Sequence, residues 1–219
     1  MNVLELKDIS RSYERGAPVL EGLDLSIQPG EVVGLLGENG AGKTTLMRLA
    51  IGLLHPGKGS VRLFGKDPWK DGVEVKRRVG YVSEDQALPP YLRVDDALEL
   101  HRKLFPTWDE ELARELMDQF SLETNKRIGK LSKGQARRVA VTCAIAHRPE
   151  LLLLDEPAGG FDPAARREFL EAALALLADE GCAVLFSSHH LADVERMAGR
   201  VVFLHRKTTL PAIRSTSAR

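Results

Sequence analysis

Gly37-Glu38-Asn39-Gly40-Ala41-Gly42-Lys43-Thr44 concentrates the chemistry of this chain. It fills every fixed position of G-x-x-x-x-G-K-[ST], a spacing suited to gripping a polyphosphate. Glycines let the backbone curl, so successive N–H groups of Asn39, Gly40, Ala41 and Gly42 point at phosphate oxygens. A helix opening near Lys43 and running through Thr44 and Thr45 adds its positive end. The Lys43 ammonium then reaches the β- and γ-phosphates of a bound nucleotide, and the Thr44 hydroxyl is a ligand for Mg2+. A glycine loop that merely turned a strand into a helix would not need the Lys-Thr pair.

A second element carries acids. Leu151-Leu152-Leu153-Leu154-Asp155-Glu156-Pro157 sets two carboxylates at the end of a strand apolar on both faces. Ligands of parallel sheets bind beyond the carboxyl ends of the strands, where the glycine loop also lies. Asp155 is the natural partner of Mg2+ through water. Glu156 is the natural general base, polarising a water for in-line attack on the γ-phosphate. Two further segments are open at this point. Ser132 in Leu131-Ser132-Lys133-Gly134-Gln135 caps a helix whose free N–H groups form an anion site or are simply a capped end. His189 in Ser187-Ser188-His189-His190 follows a late strand and reads equally as a turn histidine.

The elements that must position these residues alternate along the chain. Strands are expected at Val3–Leu6, Leu23–Ile27, Glu31–Leu36, Ser60–Phe64, Val79–Val82, Leu151–Leu154, Ala183–Phe186 and Val201–Leu204, with a helix over Thr44–Ile51. From Leu92 to about Phe120 the chain is charged and helical, broken at Pro106, with Thr107 and Glu110 as a capping box. Asp162-Pro163 starts a helix running to about Asp179, closed by Gly181. Thr208–Arg219, rich in Ser, Thr and basic residues, reads as a frayed end. The pattern predicts an α/β fold with a mostly parallel sheet.

Composition narrows the class. Among 219 residues, 43% are hydrophobic and 28% charged, as in a globular chain that buries its own core. Lys plus Arg and Asp plus Glu are 31 each, and this neutrality gives no reason to expect nucleic acid as partner. No apolar run approaches the roughly 18 residues of a spanning helix. The start, MNVLELKDIS, does not read as a secretory signal. Cys143 and Cys182, both in apolar segments, read as buried free thiols of a reducing compartment.

Taken together, GENGAGKTT at 37–45, LSKGQ at 131–135, LLLLDEP at 151–157, GGFD at 159–162 and SSHH at 187–190 resemble the nucleotide-binding subunit of an ATP-binding cassette transporter. The resemblance implies a single domain over 1–219: a P-loop ATPase core lobe (1–88 and 147–219), an N-terminal antiparallel β subdomain within it, and an inserted helical subdomain (89–146). It implies ATP and Mg2+ as cofactors and two copies, identical or different, packed head-to-tail. Ser132, Gly134 and Gln135 of one copy would meet the γ-phosphate held by the other. Tyr13 would stack on adenine, although a packing aromatic is an equal reading. Lys133 stands where the family's commoner sequence has glycine, and either adds charge near phosphate or faces solvent. Asp162 would end the loop linking the two sites, and His189 would hold the γ-phosphate and attacking water. Glu84 departs from the usual glutamine and would still reach Mg2+; Gln86 is the alternative.

The resemblance further implies a separate transmembrane permease, of export type, holding this chain at the cytoplasmic face of the cell membrane. The helical subdomain and the stretch from Glu84 to Leu92 would contact it, with Leu88 and Tyr91 either docking or packing in the core. Two other readings are a soluble ATPase of the same class acting on nucleic acid or ribosomes, and a non-hydrolysing nucleotide-binding module.

Overall fold

Alternating apolar positions near the N-terminus build one sheet, and strands apolar on both faces build a second. The computed structural model describes residues 1–13, 16–85, 88–157, 159, 161, 169, 181–205 and 208–214. In chain order the strands are β1 (Leu4–Ser12), β2 (Pro18–Ile27), β3 (Val32–Leu36), β4 (Lys58–Leu63), β5 (Val79–Val82), β6 (Leu151–Leu154), β7 (Ala183–Ser188), β8 (Arg200–His205) and β9 (Thr208–Arg214). The helices are α1 (Lys43–Ala50), α2 (Gly72–Lys76), α3 (Val94–Leu104), α4 (Glu110–Gln119), α5 (Lys133–Ile145) and α6 (Leu191–Met197). Among the described residues, β2-β1-β4 form an antiparallel sheet. The other sheet runs β5-β6-β7-β3-β8-β9, parallel throughout except for β9. The expected antiparallel N-terminal unit and mostly parallel core are therefore both present.

Period-two alternation divides the parallel sheet between two cores. Val33, Leu35, Leu151 and Leu153 face the core shared with α1 and the antiparallel sheet. Leu152, Leu154, Val184 and Phe186 face the core shared with α4, α5 and α6. A third, smaller core joins Val94, Ala97 and Leu98 of α3 to Ala136, Val139 and Cys143 of α5. Gly80 lets α5 approach β5: a Cβ there would lie 2.3 Å from the Ala144 carbonyl oxygen.

Three expectations are corrected. Thr107 does not cap α4; its hydroxyl donates to the His147 carbonyl at 2.7 Å. The cap is Asp109, whose Oδ1 accepts from the N–H groups of Glu111 and Leu112, both at 2.9 Å. Residues 208–214 are not frayed but pair antiparallel with β8, the strand that would otherwise end the sheet with unpaired backbone groups. Pro211 is tolerated there because an outermost strand has a free side. β1 continues well past Leu6 to Ser12, its register shifting after Leu6, where Asp8 has a φ of 50°. The helix expected over 162–179, Asp162 itself and Gln86 lie outside the described residues.

Candidate active site

Sheet order explains why segments far apart in sequence meet. β5, β6, β7 and β3 are parallel neighbours, with Val82 opposite Leu154, Leu154 opposite Phe186, and Leu36 opposite Ser188. The loops after these four strands therefore open side by side. They carry Glu84, Asp155 with Glu156, His189, and the glycine loop at 37–42.

The glycine loop enters α1 through Gly40 (φ 79°) and Gly42 (φ 104°), both in the left-handed region that favours glycine. A Cβ at Gly42 would also lie 2.8 Å from Leu20 Cδ2. The first turn of α1 contains no acid and no side-chain cap, so its N–H groups are left to an anion. Lys43 is buried and arches back over the loop. Its ammonium donates to the carbonyls of Gly37 (2.6 Å) and Glu38 (3.2 Å) and lies 3.2 Å from Glu156 Oε1. Thr44 is half-buried beside it. Thr45 is buried, its hydroxyl 3.2 Å from that of Tyr13. The Tyr13 ring is 45% exposed, with the Arg11 guanidinium 5.5 Å from its centroid. Tyr13 thus stands at the loop's helix with ring surface open to a ligand.

Ser187 organises the acids. Its hydroxyl donates to Asp155 Oδ1 at 2.8 Å and accepts from the Glu156 N–H at 2.8 Å. That second bond steadies a backbone with a φ of 44° at Glu156, a left-handed value that costs a non-glycine residue about 1 kcal/mol or more. Glu156 Oε2 meets His189 Nδ1 at 3.0 Å, so Lys43, Glu156 and His189 form one chain of contacts. Asp155 is fully buried, and its Oδ2 has no partner among the described residues. A buried carboxylate oxygen in that state calls for a cation. Among the described residues no cluster of three His, Cys, Asp or Glu could hold a metal unaided. Asp155 with the Thr44 hydroxyl is instead the sparse oxygen set Mg2+ uses when phosphates supply further ligands, and these residues fit that ion.

Glu84 follows β5, its side chain exposed. It lines a cavity of about 570 Å3 together with His189, Lys133 and Arg137. Ser132, Gly134 and Gln135 open α5. Ser132 Oγ accepts from the Gln135 N–H at 3.2 Å, and Gln135 Oε1 accepts from the Ser132 N–H at 3.0 Å. These residues close on one another, while Lys133 turns toward the cavity. Leu88 packs into the third core, whereas Tyr91 is 73% exposed, so the two are not a joint docking pair. Cys143 and Cys182 are buried and unpaired, and burial pushes both thiols up to about 12. Two residues with clear structural roles at the site were given none in the sequence: Ser187, read only as part of the SSHH segment, and Arg137. A polar residue ending a buried strand and the first of two adjacent arginines near the start of α5 were the available signals.

The family profile described as ABC transporter matches residues 20–159, well over half of the chain. The chain belongs to the ABC transporter family, among its ATP-binding subunits. Of characterised relatives, the bacitracin transport ATP-binding protein BcrA of Bacillus licheniformis is 30% identical, covering 96% of this chain and 69% of its own. The phosphonates import ATP-binding protein PhnC of Alcaligenes faecalis is 34% identical, covering 92% and 79%. A solved ATP-binding subunit of an ABC transporter superposes with a TM-score of 0.87 at 30% identity over 97% of this chain and 90% of that one. The dimeric cassette MJ0796 shares the fold, with a TM-score of 0.86 at 24% identity over 96% and 98%. This ABC ATPase therefore binds and hydrolyses ATP. No helix of the described residues is long and apolar enough to cross a membrane.

Proposed function

We propose that this ABC ATPase hydrolyses Mg-ATP at the loop of residues 37–45 and thereby powers a separate membrane permease. The observation that carries the reading is the chain of contacts from buried Lys43 and Glu156 to the exposed ring of His189, beside an uncapped helix start. In this arrangement the Lys43 ammonium is held by two carbonyls and Glu156. An entering triphosphate offers it stronger acceptors. Lys43 turns to the β- and γ-phosphates, and N–H groups from Asn39 to Thr45 hold the remaining oxygens. Glu156 Oε1, released from Lys43, accepts a proton from a water whose oxygen attacks the γ-phosphorus. The bond from that phosphorus to the bridging oxygen breaks, and its electron pair leaves with ADP. His189 orients Glu156 and the γ-phosphate. Thr44, Asp155 and Glu84 would hold Mg2+, which when bound would supply positive charge against the phosphates. Tyr13 stacks on adenine.

Ser132, Gly134 and Gln135 complete the site of a second copy, head-to-tail, identical or different, and Asp162 links the two sites. The permease seats on the helical subdomain, 89–146, and on the stretch after Glu84, placing the chain at the cytoplasmic face of the membrane. Export is the direction read from LSKGQ paired with Glu84; cargo accumulation in vesicles bearing the permease tests it. Glu156→Gln tests the chemistry. Nucleotide binding is expected to persist while phosphate release falls about a hundredfold or more. Hydrolysis near the wild-type rate would remove Glu156 from the role of base.

A further inference from the structure

The segment after β5 is held from two sides. Arg137, in the second turn of α5, extends its guanidinium to the carbonyl oxygens of both Ser83 and Glu84. From α1, Arg48 lies 4.0 Å from the Asp85 carboxylate. The Ser83 hydroxyl donates to the Asp85 carbonyl and tightens the turn. Arg137 is half-buried and lines the cavity it shares with Glu84, Lys133 and His189. A guanidinium withdrawn from water needs its N–H groups satisfied. Two arms on successive carbonyls fix the two peptide units that flank the Glu84 Cα, which the single ammonium of a lysine does not. Because those bonds go to the main chain, they do not occupy the Glu84 carboxylate oxygens.

We propose that Arg137 is a positioning residue for ATP hydrolysis: it sets Glu84 against the metal of the bound nucleotide and ties that segment to α5. When the N-terminus of α5 shifts, the Glu84 peptide shifts with it. This inference rests on the reading of Glu84 as a metal contact. The test compares the purified wild-type chain with Arg137→Lys, Arg137→Ala, Glu84→Ala and the Arg137→Lys/Glu84→Ala double variant. Arg137→Lys keeps the charge and stem, so it reports even where the alanine variant fails to fold. In Arg137→Lys the Mg2+ concentration for half-maximal ATPase is expected to rise about fivefold, the worth of one hydrogen bond. ATP affinity measured in EDTA stays unchanged, and amide hydrogen exchange over residues 81–85 of the nucleotide-free protein quickens. Glu84→Ala shows the same rise, and Arg137→Lys adds nothing to it. A rise in Glu84→Ala without one in Arg137→Lys overturns the positioning role. No rise in Glu84→Ala overturns the metal reading and this inference with it.

Discussion

Glu156 sits between two partners that compete for it, Lys43 on one carboxylate oxygen and His189 on the other. In the proposed mechanism its availability as a base depends on Lys43 leaving, which ties activation of the water to arrival of the triphosphate. Ser187 supports both acids at once and touches neither nucleotide nor water in the proposed mechanism. Ser187→Ala is therefore expected to lower turnover about tenfold, the usual effect of removing a supporting hydrogen bond. ATP affinity should change far less; steady-state phosphate release and nucleotide titration separate the two. An equal loss of binding would mean that Ser187 supports the loop rather than the acids. At this scale the residues legible in sequence were those with fixed local spacing, Lys43 and Thr44 after the glycines and Asp155 and Glu156 after four leucines. Ser187 and Arg137 act through strand register and helix packing, and no spacing within their own segments encodes that.

The start of α4 shows how an element is set by one side chain with two duties. Asp109 caps two N–H groups through Oδ1 while Oδ2 meets Arg148 at 2.7 Å. These bonds, led by the backbone N–H of Leu112, hold the Asp109 carboxyl below its ordinary value. Asp109→Ala should cost about 1 kcal/mol of stability, whereas Glu110→Ala, which removes only an exposed pairing with Arg102, should stay within about 0.5. Urea denaturation of both variants measures the difference. The sequence marked a helix start in this region but assigned the cap to Thr107, because Thr, Asp and Glu there offer overlapping capping patterns. The choice was made by His147, whose carbonyl takes the Thr107 hydroxyl. β9 was missed because the Ser, Thr and basic residues of 208–219 and Pro211 obscure a strand period in the sequence, and its pairing is supplied by β8.

Across the whole molecule, the parallel sheet separates two cores, and His147 lies at the junction of α5 and β6 with its ring stacked 4.0 Å from Phe105. The residue is buried, and desolvation lowers its pKa from 6.5 to about 4. The unfolded chain takes up the proton first, so the associated stability is complete above about pH 6.5 and is lost as pH falls toward 4. Between pH 7.5 and pH 5 this amounts to about 2 kcal/mol. Asp109 and Glu150 titrate below their usual range and stay ionised in that window. Denaturation at both pH values should show the loss in the wild-type chain and a flatter response in His147→Gln. An identical slope in the variant would remove His147 as its source.

Sequence alone determined the phosphate loop, the acid pair, the family and the alternation of strands and helices, because each is written in short-range spacing or periodicity. Tertiary structure decided which loops stand next to one another, since the order β5-β6-β7-β3 follows from burying strands on both faces and is invisible along the chain. It also decided that Glu156 rests between Lys43 and His189, that Ser187 holds both acids, and that Arg137 reaches the peptide of Glu84. Such contacts join residues that lie far apart in sequence, and only the packed sheet and helices bring their atoms within hydrogen-bonding distance.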